Sequence, residues 1–235
     1  MKFYRRLRPF RAISFDLDDT LYSNSPVMQA TNQEMIRYFA QHLPVCSHQY
    51  DYQYWANFRQ KVLADNPTLS HDVAALRFHT YLMGIKALGK TDMQANTLAH
   101  NAMAQFNFHR SNFVVPKETH QLLKALSKKL PLVAITNGNV NTETIGIAHY
   151  FRHIYHADLS KQQKPSSAMF MLACKDLAIA TNELLHVGDC GHSDIYGANK
   201  AGCQSAWVSN FTIGKPLTTL PDIALSNVTA LKALV

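Results

Sequence analysis

Short apolar runs of strand length alternate along this chain with longer stretches in which apolar residues return every three or four positions. The strand-like runs are Ile13-Ser14-Phe15, Leu132-Val133-Ala134-Ile135, Ile154-Tyr155, Leu184-Leu185-His186-Val187 and Ser205-Ala206-Trp207-Val208. Continuous apolarity over so few residues predicts strands buried on both faces. Between most of them the helical period takes over. Leu122, Leu123, Leu126 and Leu130 form one face, and Phe170, Ala173, Cys174 and Leu177 recur at i, i+3, i+4 and i+7. Strands alternating with helices predict parallel pairing through right-handed crossovers, an α/β fold with a doubly wound parallel sheet.

One interval breaks the alternation. From residue 23 to residue 111 there is no convincing strand, and several helical patterns follow one another. Pro26 can open the first helix, whose Met28, Met35, Phe39 and Leu43 share a face; Pro44 and Pro67 punctuate, and Gly89 before Thr91 supplies another stop and start. The expected division is a core of residues 1–22 and 112–235, with a helical domain of residues 23–111 inserted after the first strand. The chain rejoins the core near Phe113.

Composition narrows the partners. At 235 residues and 47% hydrophobic content the chain can bury a sizeable core, and its net charge of +7, from 23 Lys and Arg against 16 Asp and Glu, favours anionic partners. The basic residues are scattered apart from Lys2, Arg5, Arg6 and Arg8, with no basic stripe interleaved with stacking aromatics, so nucleic acid is not expected. Cys46, Cys174, Cys190 and Cys203 lie far apart without a C-x-x-C pair, which predicts free thiols and a cytoplasmic, reducing location. No run reaches membrane-span length, and no membrane partner is expected. The basic start leads within a few residues to Asp16, Asp18 and Asp19, unlike an export signal.

Candidate chemistry collects where the strands end. Asp16 and Asp18 follow the first strand, and like charges about 4 Å apart repel by roughly 4 kcal/mol at an effective dielectric near 20, so a cation belongs between them. A hard divalent metal suits that place. The second run ends in Thr136-Asn137-Gly138, a hydroxyl and successive backbone N–H groups able to cradle an anion, with Gly138 permitting a tight turn. Lys164-Pro165 precedes a helix expected from about Ser166. Leu184-Leu185-His186-Val187 ends in Gly188-Asp189, with Asp194 five residues later. In a parallel α/β sheet the ligand crevice lies beyond the carboxyl ends of the strands, so Asp16, Thr136 and Asp189 can converge. Four carboxylates around a phosphate dianion exceed what Lys164 can offset, and the charge count again asks for a metal.

The ordered set DLDDT, ITNG, KP and GDCGHSD resembles the haloacid dehalogenase superfamily, and within it the phosphatases. The resemblance implies a Rossmann-like core with an inserted helical cap, a small phosphomonoester substrate and Mg²⁺. Asp16 would be the nucleophile that forms an aspartyl-phosphate, and Asp18 the general acid and then base. Thr20 would fix the loop at the phosphate site, and Thr136, Asn137, Gly138 and Lys164 would bind the phosphoryl group, with Thr136 and Lys164 also serving catalysis. Mg²⁺ would be held by the Asp16 carboxylate, the Asp18 backbone carbonyl and Asp189. Asp194 belongs with this metal set, orienting Asp189 or a bound water rather than ligating. Longer stretches, FYRRLRPFRAISFDLDDTLYSNSPVM, HDVAALRFHT, LPLVAITNGN and LLHVGDCGHSDIYGA, look like the bacterial YigB group. That group implies flavin mononucleotide or the phosphorylated ribitylaminouracil intermediate of riboflavin synthesis as substrate. Residues 41–65 match it least.

Other readings stay open on the sequence. A broad-specificity sugar-phosphate or nucleotide phosphatase, or a phosphomutase, would carry the same motifs. A metal-free dehalogenase would not need Asp18 and Asp189 together, and a phosphonatase would need a cap lysine, for which only Lys61, Lys86 and Lys90 are present. A non-catalytic binding module would be expected to lose Asp16 or Asp18. Tyr50, Tyr54 and Phe58, beside Trp55, could face a flat ring system, though such a stripe more often packs a helix into a core. His71, Asp72 and Arg77 fit either substrate contact or a solvated helix start. His149 and His153 span a change from helix to strand and are not expected to form a second metal site. Cys190 and His192 sit in the last motif without a chemical role.

Overall fold

The computed structural model describes residues 1–44, 50–209 and 217–235. Its sheet contains β1 (Lys2–Phe3), β2 (Ala12–Phe15), β3 (Leu132–Thr136), β4 (His153–His156), β5 (Leu184–Gly188), β6 (Gln204–Val208) and β7 (Ile223–Leu225). The spatial order is β1-β7-β6-β5-β2-β3-β4. Every pair is parallel except β1 with β7, which is antiparallel. All five predicted strands are present. The parallel expectation needs one correction, because exposed β1 adds antiparallel to the edge strand β7 and covers backbone groups that a bare edge would leave unpaired.

Strand alternation sorts the core into two layers. Ile13, Phe15, Leu132, Ala134, Leu185, Val187, Ala206 and Val208 face one side, packed with Leu122, Leu123 and Leu126 of α5 (Lys117–Ser127) and with the C-terminal turns. Ala12, Val133, Ile135 and Leu184 face the other, against Met169, Phe170 and Ala173 of α6 (Ala168–Asp176). Helix α6 starts two residues later than expected, since Ser166 accepts from the Ala168 N–H in a preceding turn. After β5 a π-helical turn, Gly191–Tyr196, runs into the short helix α7 (Gly197–Lys200).

Between β2 and α5 the chain is helical: α1 (Asn24–His42), α2 (Tyr52–Asp65), α3 (Val73–Lys86) and α4 (Asp92–Arg110). Asp72, weighed above as a substrate contact, caps α3 by accepting from the N–H groups of Ala74 and Ala75. Thr91 and Gln94 form a capping box on α4. Met35 and Phe39 of α1, Tyr81 and Ile85 of α3, and Ala95, Ala99, Ala102 and Phe106 of α4 share one buried cluster. Tyr54 and Trp55 pack against it, with Tyr54 donating to the Gly84 carbonyl and Trp55 to that of Tyr50. The aromatic stripe is therefore largely core. At Gly84 a Cβ would come within 2.6 Å of the Trp55 ring, so α2 and α3 need a glycine at their closest approach.

Candidate active site

Strand β2 leads to β3 on one side and pairs with β5 on the other, so the chain reverses its winding at β2. A crevice opens beyond the carboxyl ends of strands at such a switch point. Asp16 follows β2 there, its N–H donating to the Val187 carbonyl. Thr136 closes β3, and Asp189 follows β5. Lys164 arrives from the loop after β4 and is almost fully buried, with Nζ 2.5 Å from Asp16 Oδ1 and 2.6 Å from Asp194 Oδ1. The predicted motif residues meet.

Three of the carboxylates, those of Asp16, Asp189 and Asp194, are buried and offer oxygens within 4.8 Å of one another. Lys164 brings one positive charge, which Asp16 and Asp194 share. Burial opposes ionisation of Asp194, but Lys164 and His186 overcome it and hold its carboxyl well below the usual range. Lys164 stays charged for the same reason, with Asp16 and Asp194 outweighing its burial. Asp16 is pushed well above the carboxylate range, by burial first, with Asp194 and Asp189 adding to it against the pull of Lys164. Burial and then Asp194 push Asp189 up to about 7. Three buried carboxylates against the ammonium of Lys164 leave the cluster net negative when ionised, which fits a divalent metal. Thr20 donates to Asp189 Oδ1 at 3.2 Å and fixes one of them.

Asp194 makes contacts beyond those expected of it. Its Oδ1 receives Lys164 and, at 3.2 Å, His186 Nε2, while Oδ2 accepts the Cys190 N–H at 2.9 Å. Asp194 thereby holds Lys164 in place, and its carboxylate also stands in the cluster with Asp16 and Asp189. His186 was not expected at all. It lies opposite Ser14 in the β2–β5 register, and its Nδ1 is 2.9 Å from Ser14 Oγ. A neutral ring donating from Nε2 to Asp194 and accepting from Ser14 satisfies both contacts, and burial lowers the His186 pKa accordingly. The missed signal is a histidine inside an otherwise apolar buried strand.

The phosphate-cradle residues divide their tasks. Thr136 Oγ1 accepts the Gly138 N–H, closing the turn. The Asn137 side chain accepts from the Lys164 N–H at 2.8 Å and donates to the Lys164 carbonyl at 3.0 Å, so it clamps one loop to the other. Gly138 has no left-handed backbone, and the reason for glycine is proximity: a Cβ would lie 2.6 Å from Asp18 Oδ2. Left-handed geometry falls instead on Asp19, φ 57°, whose carboxylate accepts the Asn24 N–H.

Asp18 points towards the helical segment. Arg110, the last residue of α4, places Nη2 2.5 Å from Asp18 Oδ1, and the Tyr22 hydroxyl donates to the same oxygen at 2.8 Å. Burial works against the charge on Arg110, but Asp18 and Tyr22 reverse the balance and raise its pKa. Sequence patterns gave no sign of this contact, because Arg110 is only a basic residue in a last helical turn. Cys174, Cys190 and Cys203 are free thiols, and Cys46 lies outside the described residues. Among the described residues no helix is long and apolar enough to cross a membrane.

A family model described as haloacid dehalogenase-like hydrolase matches residues 10–202. The chain belongs to the haloacid dehalogenase-like hydrolases. It is 38% identical over 208 residues to the 5-amino-6-(5-phospho-D-ribitylamino)uracil phosphatase YigB of Escherichia coli (strain K12), covering 88% of this chain and 87% of that protein. It is 26% identical to the N-acylneuraminate-9-phosphatase of Rattus norvegicus, covering 95% and 93%. The crystal structure of a 2-haloacid dehalogenase from Pseudomonas syringae pv. Tomato DC3000 superposes with a TM-score of 0.87 at 26% identity, covering 96% and 97%. The magnesium-bound putative family hydrolase YfnB of Bacillus subtilis, 15% identical, shares the fold with a TM-score of 0.68 over 97% and 99%. Within the family the chain is a phosphatase, a phosphoric monoester hydrolase.

Proposed function

We propose that this phosphatase hydrolyses its ester in two displacements at Asp16, with Mg²⁺ bound by Asp16, Asp189 and the Asp18 carbonyl. The observation that carries this reading is the crowding of three buried carboxylates at the sheet edge: Asp16, Asp189 and Asp194 offer oxygens within 4.8 Å of one another, with Lys164 shared between Asp16 and Asp194. Mg²⁺ would neutralise them and draw charge from the phosphoryl oxygens. Asp16 attacks phosphorus as the ester oxygen leaves, forming an aspartyl-phosphate. Asp18 hands the departing alkoxide a proton and takes one from the water that later attacks the acyl phosphate. Thr136, the Gly138 backbone and Lys164 hold the phosphoryl oxygens. Arg110 and Tyr22 fix the Asp18 carboxylate, so the last turn of α4 reports directly to the acid.

The substrate we infer is flavin mononucleotide or the phosphorylated ribitylaminouracil of riboflavin synthesis. Support comes from the 38% identity to the E. coli phosphatase whose name carries the second of these compounds. The helical segment, residues 23–111, acts as the cap that excludes water and reads the leaving group. A turnover panel tests the assignment: flavin mononucleotide and the ribitylaminouracil phosphate should give the highest kcat/KM in Mg²⁺. A higher value for sugar phosphates would move the protein to the broad-specificity reading, and phosphoryl transfer between sugar hydroxyls to a mutase.

A further inference from the structure

Residues 4–11, the arm between β1 and β2, carry Arg5, Arg6 and Arg8, basic residues that the catalytic edge does not use. The arm is tied down along its length. Tyr4 and Arg5 donate their backbone N–H groups to the Asp222 carbonyl, and Arg11 donates its own to the Glu183 carbonyl. Between these points the buried Gln204 side chain grips Arg8, accepting its N–H at 2.8 Å and donating to its carbonyl at 3.2 Å. Gln204 Nε2 also donates to the Asn182 carbonyl, which fixes the arm to the turn before β5. Held in this way, Arg5, Arg6 and Arg8 border one cavity of about 270 Å³ together with Asn182, Asn199 and Asp222.

Place separates this cavity from the chemistry. Gln204 opens β6, Asn182 precedes β5 and Arg8 precedes β2, so the cavity lies at the amino edge of three parallel strands, whereas Asp16 and Asp189 follow the carboxyl ends of two of them. Strands of this length, rising about 3.3 Å per residue, set the two edges on the order of 15 Å apart. Charge is unbalanced there. Three guanidiniums stand against one carboxylate, that of Asp222, whose Oδ2 already accepts the Ser205 N–H and hydroxyl and whose Oδ1 is 4.0 Å from Arg5 Nη1. Among the described residues the Arg6 and Arg8 guanidiniums make no ion pair and no side-chain hydrogen bond. The Asn199 amide is spoken for, donating to the Leu220 carbonyl and accepting the Ser205 hydroxyl. The donors left over are guanidinium forks, which match phosphate oxygens two at a time.

We propose that this cavity is an anion site, separate from the catalytic crevice, that takes the diphosphate group of a small molecule on Arg5, Arg6 and Arg8. A diphosphate gathers several negative charges and many acceptor oxygens into one short group, which suits donors fixed side by side. A merely solvated basic patch is the poorer account, since like charges collected around one concavity repel one another and nothing on the arm offsets them. The site stands whichever ester is hydrolysed at Asp16.

Inorganic pyrophosphate is the probe, titrated by calorimetry into the full chain in EDTA at about 0.15 M salt, where diffuse surface attraction is screened. Wild type is compared with Arg6→Gln/Arg8→Gln, with Arg6→Lys/Arg8→Lys, and with Lys124→Gln/Lys128→Gln, which removes the same charge from exposed residues on and just after α5. Wild type should show a binding event that Arg6→Gln/Arg8→Gln weakens at least tenfold, the loss of charged donors to a phosphate. The arginine-to-lysine pair should lose less, keeping the charge without the fork, and Lys124→Gln/Lys128→Gln should bind as wild type does. Hydrolysis of an aryl phosphate in Mg²⁺, and the Tm without pyrophosphate, should be unchanged in Arg6→Gln/Arg8→Gln, because both side chains are exposed and lie away from Asp16. No binding by wild type, unchanged binding by Arg6→Gln/Arg8→Gln, or an equal loss in Lys124→Gln/Lys128→Gln overturns the site. A binding loss matched by lost hydrolysis or by a lower Tm overturns it as well.

Discussion

At the carboxyl edge of the sheet, Ser14, His186, Asp194, Lys164 and Asp16 satisfy one another in a continuous chain of contacts. In the helical segment, among the described residues, Arg77, Arg110, Asn24 and His71 each keep a buried polar atom without a partner. The difference separates two kinds of work. The sheet edge meets the same phosphoryl group in every substrate and can be built complete, short only of the metal its carboxyls ask for. In the reading proposed above the helical side would meet whatever carries the phosphate, and would differ from one substrate to the next.

Substitutions can test each side. The largest effect is expected at Lys164. Lys164→Met leaves Asp16 and Asp194 buried without their shared cation, which should cost about 3–5 kcal/mol of stability and reduce turnover by orders of magnitude. Denaturant unfolding with parallel kinetics measures both, and wild-type stability in the variant would show that the chain of contacts is not closed as described.

Arg110 comes next, as the point where the two sides touch. Arg110→Met should lower kcat by roughly tenfold to a hundredfold through mispositioned Asp18, and more for an alkyl phosphate than for an aryl phosphate whose leaving group needs little proton assistance. An equal loss on both esters would mean that Arg110 does not act through the acid.

A pH series sharpens the contrast from the metal's side. Asp189 titrates near 7 and Asp16 also lies high, so below about pH 7 a divalent cation must displace protons to bind. Its affinity, followed by calorimetry, should fall at least tenfold per pH unit on the acid side. In the metal-free protein the folded site holds the Asp189 proton up to about 7 while the unfolded chain releases it near 3.8. The folded state therefore binds more protons in that window, and metal-free stability should drop as pH rises through it. Metal affinity unchanged between about pH 5 and 7 would remove these carboxyls from the ligand set.

The same contrast explains what could be read from the sequence. Asp16, Thr136 and Asp189 were legible because each stands at the end of an apolar run, and a parallel sheet brings such ends together, whereas Lys164, in a polar loop, was legible only through its place in the ordered set of motifs. Strands β1 and β7, two and three residues long, are too short to show a period. His186 was hidden within a strand read as apolar, and the part played by Asp194 depends on where Lys164 arrives from another loop. Gly138 was read as a turn residue, but its need for glycine comes from Asp18, far away in sequence. The contact of Arg110 with Asp18 arises from packing between distant segments, and no spacing along the chain encodes it.

The central claim is that Asp16 attacks phosphorus. It is tested most directly by mixing excess protein with flavin mononucleotide and Mg²⁺, quenching in acid within one turnover, and mapping phosphoryl groups on the peptides by mass spectrometry. The account predicts a phosphoryl group on Asp16, absent in Asp16→Asn, which should also lose at least about a thousandfold in turnover. Product released within that turnover without label on Asp16, or near wild-type turnover by Asp16→Asn, would contradict it.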